Sequence, residues 1–99
     1  MIDGYLLNMR VFNGVKDSKG QALKPLEEAA GVFGAWQKCD GTRYAATTTR
    51  PAFREDLIDG CMDTVQAVAD LLAAVGATQG EVDAAIRRMD ERNWDRGRL

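Results

Sequence analysis

The stretch that decides the fold is PAFREDLIDGCMDTVQAVADLLAAVG, residues 51–76. Its apolar side chains recur every three or four positions, at Leu57, Cys61, Val65, Val68, Leu72 and Val75. This spacing predicts one long α-helix from Pro51 to Val75, closed by Gly76, with a length of more than about 35 Å. Because the steps approach those of a coiled-coil seam, the helix needs a bundle or a second chain against which to pack.

Three further segments carry helical signals. Residues 2–12 have apolar side chains at helical spacing, and an Asn-Gly pair then supplies a stop signal. Residues 25–38 open with a proline, which suits the first turn of a helix. Residues 78–94 open with a Thr-x-x-Glu capping box. Since no segment alternates with period two, we expect one all-α domain over residues 1–99, a small helical bundle with one long central helix.

The composition excludes several classes of function. With 13 basic and 15 acidic side chains the net charge is −2, which argues against a sequence-independent nucleic-acid binder. No stretch approaches the roughly 20 apolar residues that span a bilayer, and the N-terminus lacks the features of a signal peptide. We therefore expect a cytoplasmic protein with no membrane partner. Because the chain has no histidine, its chemistry must use carboxylates, arginines, lysines or a metal held by oxygen.

One face of the long helix is acidic. At steps of three and four residues it carries Asp56, Asp59, Asp63, Gln66 and Asp70. Like charges at this spacing each destabilise a helix by roughly 0.2–0.5 kcal/mol, so the face needs a divalent cation or arginines from another segment. Mg²⁺ takes oxygen ligands and is commonly held by a few carboxylates and substrate phosphates. The alternative is a solvated face whose ion pairs contribute little.

Three motifs follow one another along the chain. PLEEAAGVFGAWQ occupies residues 25–37, GCMDTVQAVADLLAAVG occupies residues 60–76, and ERNWDRGR occupies residues 91–98. In order and spacing they resemble the two metal-binding helices and the C-terminal arginine and asparagine element of MazG-like nucleoside triphosphate pyrophosphohydrolases, especially the short phage and prophage forms. The resemblance implies a dimerising all-α bundle that uses Mg²⁺ to hydrolyse a nucleoside triphosphate to the monophosphate and pyrophosphate.

The family's four carboxylates are only half present here. The family pattern is E-x-x-E on one helix and E-x-x-D on the next, and Glu28 and Asp63 match it. Gly31 stands where the second carboxylate should be and Gly60 where the third should be, while Asp70 stands where the family often has asparagine. The resemblance therefore implies that Glu28 and Asp63 are the catalytic and metal-binding residues, in a depleted site.

Both glycines are poor choices inside a helix, where glycine costs about 1 kcal/mol relative to alanine. Three interpretations stay open. The glycines permit a close approach of two helices, or an unused site has decayed. In the third interpretation, Glu27, Asp59 or Asp56 has taken over the metal role, which would make Glu27 and Asp59 ligands beside Glu28 and Asp63.

Other candidates concern the substrate. Trp36 is a candidate for stacking on a nucleobase, although its spacing also suits a helical core. Arg92, Asn93 and Arg96, together with Asp70, are candidates for binding the substrate, the arginines through charge-assisted bonds to phosphates. For Arg92, Asn93 and Arg96 the alternative is a solvated C-terminal end.

Two functions therefore remain in competition. The first is a Mg²⁺-dependent nucleotide pyrophosphohydrolase. The second is a catalytically inactive homologue that binds a protein or a nucleotide, such as a phage-encoded inhibitor of a host defence system. Under either hypothesis the apolar character of residues 57–75 predicts a homo-oligomer, a dimer or a tetramer, because a single chain of this length can hardly cover it.

Overall fold

A computed structural model describes residues 3–42 and 49–99 of the chain. These residues form three α-helices, and none of them lies in a strand. Helix α1 spans Lys19–Gly41, α2 spans Thr49–Ala74 and α3 spans Gln79–Asp95. The all-α class is confirmed, and the long helix predicted over residues 51–75 is α2, with 26 residues. Within the described residues, no helix combines the length and apolar character needed to cross a bilayer.

The helix predicted over residues 2–12 is wrong for residues 3–12, which are not helical; residue 2 lies outside the described residues. Side chains of α2 bind the backbone of this segment instead. The Phe12 backbone N–H donates to Asp70 Oδ1 at 2.9 Å, and Gln66 Nε2 donates to the Arg10 carbonyl at 2.6 Å. A helix of so few residues is marginal in water without a packing partner, so these tertiary bonds decide its conformation. We refer to residues 3–17 as the N-terminal segment.

Helix α1 begins six residues before the predicted start at Pro25. Ser18 is its N-cap, and the Ser18 hydroxyl accepts from the Gln21 backbone N–H at 3.2 Å. A serine cap satisfies one of the free donors of the first turn, and this signal outweighs the preference of proline for that turn. Pro25 therefore lies inside the helix, where it removes one backbone bond without ending the helix.

Helices α1 and α2 form an antiparallel pair. Near the middle of the pair, Gly60 of α2 lies beside Val32 of α1. Toward the start of α1, Gln21 lines the same cleft as Asp70 from the last part of α2. Among the described residues, only Ala67 and Asp70 are buried, with 4% and 3% of their surface exposed. The pair therefore has a thin interface and leaves the outer faces of both helices open.

A glycine turn separates α3 from this pair. Gly76 has a φ of +78°, and its N–H bonds the Ala73 carbonyl at 3.0 Å, while the Ala77 N–H bonds the Leu72 carbonyl at 2.9 Å. This is a Schellman motif, and it confirms the predicted stop at Gly76. Beyond the turn, α3 makes no contact with α1 or α2 in the described part of its own chain.

The predicted capping box at the start of α3 is present. The Thr78 hydroxyl accepts from the Glu81 N–H at 3.1 Å, and Glu81 Oε1 accepts from the Thr78 N–H at 3.1 Å. We expect Thr78→Ala to destabilise α3 by about 1 kcal/mol, because the Glu81 N–H loses the hydroxyl oxygen that accepts its bond and the reciprocal cap is broken. Amide hydrogen exchange in the first turns of α3 should then become about five times faster. Thr78→Ser keeps the hydroxyl and should retain the wild-type rates; equal rates in the alanine variant would contradict the role of the cap.

Candidate functional site

A cleft of about 530 Å³ lies between the N-terminal segment, α1 and α2. Residues 12–15 form one wall, the first half of α1 forms the second, and the second half of α2 forms the third. Its polar and charged lining side chains are Asn13, Gln21, Lys24, Glu28, Asp63, Gln66 and Asp70. The antiparallel pairing of α1 and α2 thus brings together residues that are far apart in the sequence.

Glu28 and Asp63 lie in this cleft, contributed by α1 and α2 respectively. The Glu28 side chain is about one-third exposed, and Lys24 Nζ lies 3.6 Å from its Oε1. The same Nζ atom lies 3.7 Å from Glu27 Oε2. Exposed ion pairs of this kind contribute little to stability, so Lys24 is available to a ligand that competes for it.

The other predicted metal ligands lie elsewhere. Glu27 and Asp59 are exposed, and neither lines the cleft. Asp56 lines a separate recess of about 200 Å³ with Gly34 and Lys38. Within residues 3–42 and 49–99, no group of three or more Asp, Glu, Cys or His side chains is placed to hold a metal ion. A protein-only cage of four carboxylates is therefore not formed by these residues of one chain.

Helix packing requires neither Gly31 nor Gly60. A Cβ atom added at Gly31 would meet nothing within 4 Å. A Cβ atom added at Gly60 would lie 3.7 Å from Val32 Cγ2, which is an ordinary van der Waals contact. A close approach of the two helices therefore does not explain these glycines, and both positions have room for a side chain.

Asp70 and Gln66 have a role that the sequence analysis did not predict. The buried Asp70 carboxylate accepts from the Phe12 N–H at 2.9 Å and from Gln66 Nε2 at 3.0 Å. Gln66 also binds the Arg10 carbonyl. These two side chains anchor the N-terminal segment and so fix one wall of the cleft. The only signal in the sequence is the i, i+4 spacing of glutamine and aspartate, which favours a bond between them.

Trp36 lies neither in the cleft nor in a core. It stacks on Phe33, with ring centroids 6.1 Å apart and planes 16° from parallel. Both rings are exposed, with 61% of the Phe33 surface and 44% of the Trp36 surface open to solvent. Within one chain Trp36 is therefore separate from Glu28 and Asp63.

The predicted phosphate-binding residues also lie outside the cleft. Arg92 and Asn93 are on α3, and Arg96 is the C-cap of that helix. The Asn93 side-chain oxygen accepts from Arg98 Nη1 at 3.4 Å. Because α3 does not contact α1 or α2, its arginines do not reach the cleft. Among the described residues that line the cleft, the basic side chain is Lys24.

The chain matches no family model, and comparisons with curated proteins and with solved structures gave no match either. The candidate site therefore depends on its own geometry and on the sequence motifs. In chemical terms it is a cleft with two partly solvated carboxylates, one lysine and several amide groups. Such a set of groups suits a ligand that carries both a cation and polar atoms.

Proposed function

We propose that the chain is a MazG-like nucleotide pyrophosphohydrolase-family protein with a depleted carboxylate site, which binds a nucleoside triphosphate with Mg²⁺ in this cleft. The observation that supports the proposal is the position of Glu28 and Asp63. They are the two carboxylates of the family motif that the sequence retains, and two different helices bring them into one cleft. The cleft volume lies within the range of about 300–1,000 Å³ that is typical of small-molecule sites.

The residues fit one kind of magnesium site. Mg²⁺ is often held by one or two carboxylates together with substrate phosphates and keeps several waters, so it does not need a protein-only cage. Glu28 and Asp63 would hold it in this way. When bound, the ion neutralises phosphate charge and activates water. Lys24, released from Glu28, would bind a phosphate oxygen, and the amides of Asn13 and Gln21 would donate hydrogen bonds to the ligand.

The proposal needs more than one chain for the remaining candidates. Arg92, Asn93 and Arg96 would bind phosphates, and Trp36 would stack on the base, only if a second copy brought them to the cleft. We therefore propose a cytoplasmic homodimer or tetramer. The Asp70 carboxylate already accepts two hydrogen bonds from the protein, so we assign it to the positioning of the cleft wall and no longer to substrate contact.

A comparison of neighbouring carboxylates tests the site. We expect Glu28→Gln and Asp63→Asn each to weaken binding of a Mg²⁺–nucleotide complex by at least about tenfold, which corresponds to about 1.4 kcal/mol for the loss of one ligand. Calorimetry with a panel of nucleotides measures the affinity, and release of pyrophosphate measures turnover.

The chain offers matched controls for this experiment. Glu27→Gln removes the other carboxylate that pairs with Lys24, and Asp56→Asn removes an exposed carboxylate of α2 that lines the separate recess. Both control variants should bind as the wild type does. If they weaken binding as much as Glu28→Gln and Asp63→Asn, the effect is one of overall charge and the cleft is not the site.

A second candidate function is an inactive homologue that binds a protein or a nucleotide, such as a phage-encoded inhibitor of a host defence system. Within residues 3–42 and 49–99 no three carboxylates are grouped to hold a metal ion, and this favours the inactive homologue. It predicts that the wild type releases no pyrophosphate from any nucleotide in the panel. Nucleotide binding without turnover would identify a nucleotide-binding module. The absence of both binding and turnover would leave protein binding. Charge reversal at the exposed Asp56 and Asp59 would then test the acidic face of α2 as the binding surface.

A further inference from the structure

The surface of the chain is too large for a compact monomer. Its accessible area is 8055 Å² for a mass of 10.9 kDa, whereas a folded monomer of this mass exposes about 5,600 Å². The radius of gyration is 16.4 Å, compared with about 12.6 Å for a compact domain of this length. Each chain therefore exposes about 2,500 Å² that a packed protein of its size would cover.

Helix α3 carries an apolar stripe that its own chain does not cover. Val82, Ile86 and Met89 follow one another at steps of four and three, and Ile86 and Met89 are exposed. The helix has 17 residues and makes no contact with α1 or α2. An isolated helix of this length is marginal in water even when it is well capped. The apolar stripe of α3 therefore needs a partner other than α1 and α2 of the same chain.

Helix α2 offers a complementary surface. Its side opposite Gly60, which lies against Val32 of α1, exposes Ile58, Met62, Val68 and Leu72. We call this set the outer α2 face. Glu55 and Asp59 lie beside it on the helix, and Arg92 and Arg96 lie beside the apolar stripe of α3. Among the described residues none of these four side chains forms an ion pair within the chain. The two surfaces therefore match in apolar character, and one flank of each, Glu55 with Asp59 and Arg92 with Arg96, carries opposite charge. In this contact Arg92 and Arg96 face α2 on its side away from the cleft, so phosphate binding in the cleft is left to Lys24.

We propose that α3 is an exchanged arm, which packs its Val82–Ile86–Met89 stripe on the outer α2 face of a second copy of the chain, while the α3 of that copy returns the contact. A second copy carries both surfaces, so a two-fold arrangement covers both stripes at once. The surface areas support a second copy of the chain as the partner. Two chains with about 2,500 Å² of excess surface each can form an interface in the range of roughly 2,000–5,000 Å² that obligate homodimers bury.

The first test concerns the stripe. Light scattering at micromolar concentration should give twice the chain mass for the wild type. Ile86→Asp should weaken self-association by roughly 100-fold, because it places a charge where an aliphatic side chain is buried. Ala84→Asp adds the same charge to the opposite side of α3 and should leave the dimer intact. A monomeric wild type, or a dimer that Ile86→Asp does not weaken, would overturn the proposal.

The second test shows that the contact is made between chains and identifies both surfaces. One variant carries Arg92→Glu and Arg96→Glu, and the other carries Glu55→Arg and Asp59→Arg. Each variant alone brings like charges together at both contacts of a homodimer and should be largely monomeric. When the two are mixed, every contact again joins opposite charges, so a heterodimer should form. Failure of the mixture to associate more strongly than either variant alone would refute the pairing of α3 with the outer α2 face.

Discussion

The double variant Gly31→Glu/Gly60→Glu is expected to bind Mg²⁺ roughly 100-fold more tightly than the natural chain, at about 1.4 kcal/mol for each added ligand. With Glu28 and Asp63, the two substitutions would give the chain the four carboxylates of the proposed MazG-like pattern. Gly31 follows Glu28 by three positions on α1 and Gly60 precedes Asp63 by three on α2, so each new side chain would share a helix face with one of the existing carboxylates. The space at Gly31 is open and the nearest neighbour of an added Cβ at Gly60 is at van der Waals distance, so the variant should fold.

Calorimetric titration with Mg²⁺ measures this gain, and two controls separate charge at the site from other effects. Gly31→Gln/Gly60→Gln adds side chains of the same shape without charge and should show no gain. Gly34→Glu adds a single carboxylate at the recess that Gly31 also lines, six positions from Glu28, and should also show none. A glutamine variant that gains as much as the glutamate variant would rule out completion of a metal site. Pyrophosphate release by the glutamate variant and not by the natural chain would show that carboxylates at these two positions support catalysis.

Asp70→Ala is expected to lower the free energy of unfolding by about 1–3 kcal/mol, because it leaves the Phe12 N–H without its acceptor and removes a buried partner of Gln66. Denaturant unfolding at a fixed chain concentration measures the change. Amide exchange at Phe12 should accelerate at the same time, since that amide loses its only bond in the described structure to α2.

Asp63→Ala is the matched control for this variant. Asp63 lies seven residues earlier on α2 and lines the same cleft, but it is exposed. Its removal should change stability by no more than about 0.5 kcal/mol. Asp70→Asn keeps a side-chain oxygen and should recover part of the loss. Equal stabilities of Asp70→Ala and Asp63→Ala would show that the N-terminal segment is not held by the Asp70 carboxylate.

The helices that could be predicted from the sequence are those whose signals are local. A sustained apolar period and a glycine stop determine α2, and a capping box determines the start of α3, so both agree with the structure. The period of residues 2–12 is equally regular, but bonds from Gln66 and Asp70 compete with helix formation and win. Such bonds are not visible in a local pattern, because Phe12 and Asp70 are 58 positions apart.

The candidate site, like the helices, could be predicted from the sequence only where the signal is a local motif. The motif resemblance pointed to Glu28 and Asp63, and both line the cleft that α1 and α2 form; their role as ligands stays a prediction. The sequence could not show that α3, with Arg92 and Arg96, would lie apart from that cleft. The direction of α3 depends on a single glycine turn and on contacts with other surfaces, and neither can be derived from helical period.

The attachment of residues 12–15 to α2 has a consequence for any molecule that enters the cleft. Because those residues form one wall, a molecule that touches the wall binds only chains in which the segment is in place. Occupancy and attachment must then strengthen each other by the same factor, as linked equilibria require. Protection of the Phe12 amide from exchange would therefore rise with ligand concentration, and this single proton reports on binding even where no reaction follows.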